Sequence, residues 1–218
     1  MRSYCYTGKM PRRVDTEQHE RQKAEIARAV WRLAARAGLE SVSLREVAAE
    51  AGVSMGRVQH YFGTKEAMLL FGLELAQQRM EARVVRRLEQ LAGSADAEDV
   101  LRAALEEMLG DDHDTRQAIR VSVAYLPRAL EDPRVAEVLF ADDAELRAHA
   151  ADVVRTAQAD HRAPPELDAE REAHIMWSLA SGLGTEVAFG QTPVRDARIA
   201  LHYHLDRTLG RRAGPRRL

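Results

Sequence analysis

Apolar and polar positions along this chain recur with the period of an α-helix almost from end to end. Over residues 16–37, Ile26, Val30, Leu33, Ala34 and Ala37 fall at i, i+4, i+7, i+8 and i+11, one buried face, and Gly38 follows where a left-handed residue closes a helix. A short helix is predicted over 44–51, with Ser43 as N-cap, Glu46 completing a capping box and Gly52 as the stop. Ser54 caps a third helix, 55–62. Gly63 and Thr64 break the chain and restart it as a long helix, about 65–91, whose Arg/Glu-rich second half reads as a lever between two domains. Five more helices are predicted near 97–109, 115–130, 133–159, 168–189 and 194–209, punctuated by Pro127, Pro133, Pro164, Pro165 and Pro193. With no repeat and no convincing strand, the expected fold is all-α with about nine helices.

Composition changes the picture little. Apolar (45%) and charged (30%) residues are at ordinary globular levels, and 218 residues suffice for one or two domains. No apolar run approaches the roughly 18–20 residues that span a bilayer. The first ten residues, MRSYCYTGKM, lack the apolar stretch of a secretory leader. The single cysteine, Cys5, can close no intrachain disulfide and supplies no multi-cysteine metal cage, so a cytoplasmic protein is expected. Charge is more informative. Residues 1–65 hold 12 Lys and Arg against 7 Asp and Glu, the last eight residues hold four arginines and no acid, and residues 66–210 carry a net −11. A basic end on an acidic body suggests that the end meets a polyanion, although charge alone fits solvated faces equally well.

The informative stretch is 43–62, SLREVAAEAGVSMGRVQHYF. Two short helices joined by a Gly-containing turn form a helix-turn-helix. Leu44, Val47, Ala48 and Ala51 line one face of the first helix, Val53 plugs the turn, and Val58 with Phe62 lines the second. Burying Val58 and Phe62 points Gly56, Arg57, Gln59 and His60 outward, with no acid between Met55 and Phe62. Gly56 lets the backbone approach another molecule closely. Such a helix suits the major groove of DNA.

The run GVSMGRVQHYFGTKEAML resembles the recognition-helix signature of the TetR family of regulators, and HYFGTKEAML is similar to its betaine-regulator branch. The detailed match covers about residues 20–75. The resemblance implies a homodimer on a palindromic operator in double-stranded DNA, most often a repressor released by a small molecule, with no cofactor and no membrane partner. It assigns DNA-binding roles to Ser43, Ser54, Met55, Gly56, Arg57, Gln59, His60, Tyr61, Thr64 and Lys65. Ser43 and Thr64 would contact phosphates as well as cap helices, and Lys65 would grip phosphate. Tyr61 either reaches the backbone or packs beside Phe62. Arg57 either reads guanine O6 and N7 or clamps a phosphate. Gln59 stands where the family usually has Tyr, and adds a side chain able to read adenine. Arg12 and Arg13 either form a minor-groove arm or stay disordered. The resemblance also implies a ligand cavity, for which Met108, Tyr125, Phe140, His149, His174 and Trp177 are candidates. The last two helices would form the dimer face, with Leu179, Gly182, Leu183, Val187, Ile199 and Tyr203, while Gly182, Gly184 and Ala188 permit close helix approach.

The expected domains are an arm over 1–14, the helix-turn-helix domain over 15–64, a ligand-binding and dimerisation domain over 65–210 and a basic tail over 211–218. Two rivals remain. An all-helical enzyme finds no Gly-x-Ser-x-Gly, His-Glu-x-x-His, P-loop or paired-cysteine pattern to support it. Gly182-Leu-Gly184 lacks a dinucleotide fingerprint's third glycine, and Asp111, Asp112, His113 and Asp114 read as an acidic loop ahead of a metal site. An architectural DNA binder would show sequence-indifferent, salt-steep binding, and leaves some 120 residues beyond the reader without a role.

Overall fold

The computed structural model describes residues 13–89, 95–141 and 143–210, with side chains from Gln18 onward. The order is α1 (Arg13–Ala37), a 3₁₀ turn (Leu39–Ser41), α2 (Leu44–Ala51), α3 (Met55–Phe62), α4 (Lys65–Glu89), α5 (Ala97–Glu107), α6 (His113–Ala129), α7 (Pro133–Leu139), α8 (Asp143–Ala159), α9 (Ala169–Ala188) and α10 (Val194–Leu209). The described residues include no strand. The chain divides into two compact units, up to Gly72 and from Leu73. That division falls inside α4, about two turns beyond the expected boundary at 64/65. The tail over 211–218 and Arg12 lie outside the described residues, as does the arm over 1–14 except for Arg13 and Val14, which open α1.

In the first unit, the apolar stripe of α1 (Ile26, Val30, Trp31, Ala34) closes over Val47 and Ala48 of α2, Val58 of α3, and Met68 and Leu69 of α4, all buried. Trp31 satisfies its one polar atom by donating Nε1–H to the Gly72 carbonyl at 2.9 Å. Arg32 and Arg36 of α1 both reach Glu50 of α2, Arg32 Nε at 2.6 Å. Their hydrogen bonds hold the Glu50 carboxyl below its ordinary range. The turn between α2 and α3 rests on Gly52, whose φ of 66° is the left-handed conformation that favours glycine.

The second unit is built on α8 and α9. Ala150, Ala151 and Ala157 on one helix and Ala169, Ala173 and Ala180 on the other are all buried, and small side chains let the two approach closely before Leu201, Leu205 and Leu209 of α10 complete the core. Gly184 marks the tightest place: a Cβ there would stand 1.9 Å from the Met108 carbonyl oxygen. The stretch 133–159, expected as one helix, is two. Phe140 leaves helical geometry with ψ of 15°, and α8 restarts at Asp143 with Glu145 in its first turn, where acidic side chains favour the positive end of the helix dipole.

Candidate nucleic-acid interface and ligand cavity

The helix-turn-helix forms at the residues that its capping pattern foretold. Ser43 accepts from Glu46 N at 3.3 Å while Glu46 accepts from Ser43 N at 3.0 Å, closing the capping box of α2. Ser54 accepts from Arg57 N at 3.2 Å and starts α3. Thr64 Oγ1 accepts from Ala67 N at 3.1 Å at the head of α4. Val58 is fully buried and fixes the rotation of α3. That rotation leaves Met55, Gly56, Arg57, Gln59 and His60 exposed on one continuous face, joined by Ser54 before it and Thr64 after it. Beyond its chain neighbours and its own helix backbone, no described atom lies within 4 Å of where a Gly56 Cβ would be, so its missing side chain is not required by packing among the described residues.

The aromatic residues after that face point back into the unit. The Tyr61 hydroxyl is hydrogen-bonded to Gln22 of α1, and its ring meets His19 edge-on at 4.6 Å. Phe62 packs on Phe71 at 5.3 Å, and Lys23 Nζ stands 4.4 Å from the Phe71 centroid. Of the alternatives for Tyr61, its contacts here are internal. Lys65 is half-buried and donates to the Glu40 carbonyl at 3.0 Å, which holds its ammonium at the α4 N-terminus. Arg45, not singled out from sequence, is an exposed cation in the first turn of α2, two residues after Ser43.

In the second unit, α4 to α9 surround a cavity of about 570 Å³. Four of the six candidates line it: Met108, Phe140, His149 and Trp177. His149 is anchored through Nε2, 2.9 Å from the Ala97 carbonyl oxygen. The other two lie elsewhere. Tyr125 is fully buried in packing and lines no part of the cavity; burial pushes its hydroxyl above the ordinary range, only partly opposed by Arg128. His174 is exposed on α9, because the cavity borders that helix only from Trp177 onward, through Ser181 and Thr185. Missed were the acids: Glu81, Glu107, Asp143 and Glu145 line the cavity, whereas no Lys or Arg does among the described residues. Asp143 is paired with Arg147, and Glu107 with Arg83 and Arg87. Such a set has no local spacing from which sequence could assemble it.

On α9 and α10 the exposed apolar side chains are Ile175, Phe189, Ile199 and Tyr203, with Gly182 exposed and Leu179 and Leu183 half-buried. Val187, expected at the dimer face, is 6% exposed and belongs to the core. Ala180, Gly184, Val187 and Ala188 share the inward face of α9, so the close approach at Gly184 is to Met108 of the same chain. Gly182 is exposed, and no described atom beyond its own helix backbone and chain neighbours lies within 4 Å of where its Cβ would stand. The acids of the 111–114 loop have structural work: Asp111 pairs with Arg198 at 2.9 Å, and Asp112 caps α6 by accepting from Thr115 N at 2.8 Å. Burial alone would raise Asp112, but the Thr115 hydrogen bonds and Arg83 hold it below its ordinary range.

A DNA-reading trihelical head followed by a helical domain with its own cavity defines the class: a one-component transcriptional regulator. The comparisons give the family. Residues 26–70 match the model of bacterial regulatory proteins of the tetR family, and residues 97–210 match the C-terminal domain of BetI-type transcriptional repressors. The chain is 25% identical over 190 residues to the HTH-type transcriptional regulator BetI of Burkholderia cenocepacia, covering 86% of this chain and 93% of that one. It is 39% identical over 75 residues to the HTH-type transcriptional regulator PksA of Bacillus subtilis, a match spanning 34% of this chain and 35% of that protein's length. Among solved structures, a TetR-family regulator from Rhodococcus sp. superposes with a TM-score of 0.73 at 23% identity, covering 87% of this chain and 99% of that chain. A regulator from Saccharomonospora viridis, solved in complex with choline, gives a TM-score of 0.71 at 23% identity, covering 86% and 96%. The chain belongs to the TetR family, and it is a ligand-responsive, DNA-binding transcriptional regulator with a BetI-type repressor C-terminal domain. No helix among the described residues is long and apolar enough to cross a membrane.

Proposed function

We propose that the protein is a homodimeric repressor that seats α3 in the major groove of a palindromic operator and is released by a small organic cation. The observation that carries the DNA reading is the acid-free outward face of α3, Met55, Gly56, Arg57, Gln59 and His60, held rigid by buried Val58. Arg57 suits guanine and Gln59 adenine, each good bidentate pair contributing about 1–3 kcal/mol of discrimination. Ser43, Ser54, Arg45, Thr64 and Lys65 frame that face as phosphate contacts, Lys65 aided by the α4 N-terminus. Tyr61 then supports the face from behind, through Gln22. Ile175, Leu179, Gly182, Leu183, Ile199 and Tyr203 would pack against the same residues of a second copy, as a two-fold interface requires. Two readers related by such an axis address half-sites about 34–36 Å apart. Acting on DNA, the protein would work in the cytoplasm.

The cation reading rests on the cavity wall. Among the described residues Glu81 and Glu145 make no ion pair and no Lys or Arg lines the cavity, while Trp177 and Phe140 supply aromatic faces. Carboxylates and aromatic faces together favour an alkylammonium group, and the choline in the Saccharomonospora viridis regulator is a ligand of that chemistry.

Selection of bound fragments from random double-stranded DNA tests the first part. A palindrome with half-sites one turn apart is expected; enrichment of no sequence, with binding that follows salt alone, would make the protein an architectural binder. Titration of choline against its uncharged carbon isostere, 3,3-dimethylbutanol, tests the second, read by Trp177 fluorescence and by release of the selected DNA. Equal responses to the two compounds would defeat the cation reading.

A further inference from the structure

We propose that Glu107 is the positioning residue through which an occupied cavity acts on α4, an inference that rests on the regulator reading above. Glu107 ends α5 with a side chain only 6% exposed, and it forms part of the cavity wall. Its carboxylate also faces the second half of α4. One oxygen accepts from the buried Thr115 hydroxyl at 2.6 Å and lies 3.6 Å from Arg83 Nε; the other lies 3.5 Å from an Arg87 guanidinium nitrogen. Arg87 is pinned a second time by Glu106 at 2.8 Å.

The same residue therefore borders the ligand space and holds two cations of the helix that begins at Lys65. A carboxylate this buried needs a cationic or hydrogen-bonding partner at all times, because an unpaired charge away from water is costly. Its ion pairs with α4, at 3.5–3.6 Å, are looser than the 2.8 Å contact of Arg87 with Glu106, so a competitor can displace them. A cation on the cavity side shares Glu107 and repels Arg83 and Arg87 at the same time. Both effects loosen α4 from α5. Because α4 is unbroken from Lys65 to Glu89, a change in its second half is carried by the helix that also bears a phosphate contact.

The test uses the full chain and the selected palindrome, first with no effector. E107Q and the double variant R83Q/R87Q are each expected to lower operator affinity 5–150-fold, the usual range of such coupling. The triple variant should be no weaker than the weaker parent, since both changes release one clamp. E98Q is the control. Glu98 is an equally buried α5 carboxylate that pairs with Arg102 of its own helix and with Arg162, neither of them in α4, so this change should lower melting temperature and leave operator affinity unaltered. With choline added, E107Q should still change Trp177 fluorescence while its operator affinity shifts no further. Wild-type operator affinity in E107Q and R83Q/R87Q, or losses that add in the triple variant, would overturn the relay. If E107Q does not fold by circular dichroism, R83Q/R87Q decides alone. A wild-type chain that selects no DNA would instead sink the regulator reading, and a wild-type chain blind to choline would sink only the cation reading.

Discussion

The side chains proposed to meet DNA all stand between Ser43 and Lys65 of the first unit, positioned by caps three residues away and by one buried valine, Val58. Those lining the cavity run from Gln77 to Thr185 and are brought together only by the packing of α4 to α9. The reader is thus a local structure and the sensor a non-local one. A local site tolerates change around it and fails when its own few contacts fail. A non-local site depends on every helix that walls it.

The sharpest way to break this contrast is V58D. A buried, unpaired carboxylate at that position should cost about 3–5 kcal/mol. Operator binding is expected to vanish while Trp177 fluorescence, in a W31F background, still responds to choline. Joint loss of both signals would show that the two units fold as one. Next in size is a pair of glycine substitutions. G184A places a methyl group on the Met108 carbonyl and should destabilise by about 1–3 kcal/mol in a thermal melt. G56A has open space and should leave stability equal or raise it by up to about 1 kcal/mol. It should nevertheless weaken operator binding in a mobility-shift titration if, as proposed, the backbone at Gly56 meets DNA, because a methyl group then stands in the way. R57A should reduce operator affinity by about 1–3 kcal/mol and relax the preference at one base pair per half-site, with the melt unchanged. Smallest is a pH effect. The Glu50 carboxyl is held low by Arg32 and Arg36, so its contribution is complete above the ordinary glutamate range and fades as pH falls through the lowered value. E50Q should remove that acid-side slope when stability is measured against pH.

The same contrast explains what sequence could and could not disclose. Ser43 with Glu46, Ser54 ahead of Met55, and Gly52 and Gly63 at the helix ends are signals within a few residues of what they control, and α2 and α3 form where those signals place them. Helical periodicity also located α9 and α10 to within a residue or two. It could not tell which of two apolar faces meets the domain core. Val187 was therefore expected at the dimer face and lies in the core, while Ile175 and Phe189 are exposed. Tyr125 and His174 failed as cavity residues for a related reason: a helix has a face, but only its neighbours decide whether that face borders packed atoms or empty space. Glu81 and Glu145 looked like ordinary solvated acids, and only the arrangement of α4, α7 and α8 sets them at a cavity. The break at Phe140 was missed because helix propensity on both sides is high and no proline or glycine marks it.

One contact has a mechanical consequence. The Gly72 carbonyl, inside α4, receives the indole N–H of Trp31 in addition to its place in the helical ladder. An acceptor divided between two donors holds each less firmly, and glycine offers the least intrinsic resistance to a change of backbone torsion. Stiffness along this 25-residue rod is therefore uneven. A glycine and a shared acceptor coincide at Gly72, beside the indole of Trp31.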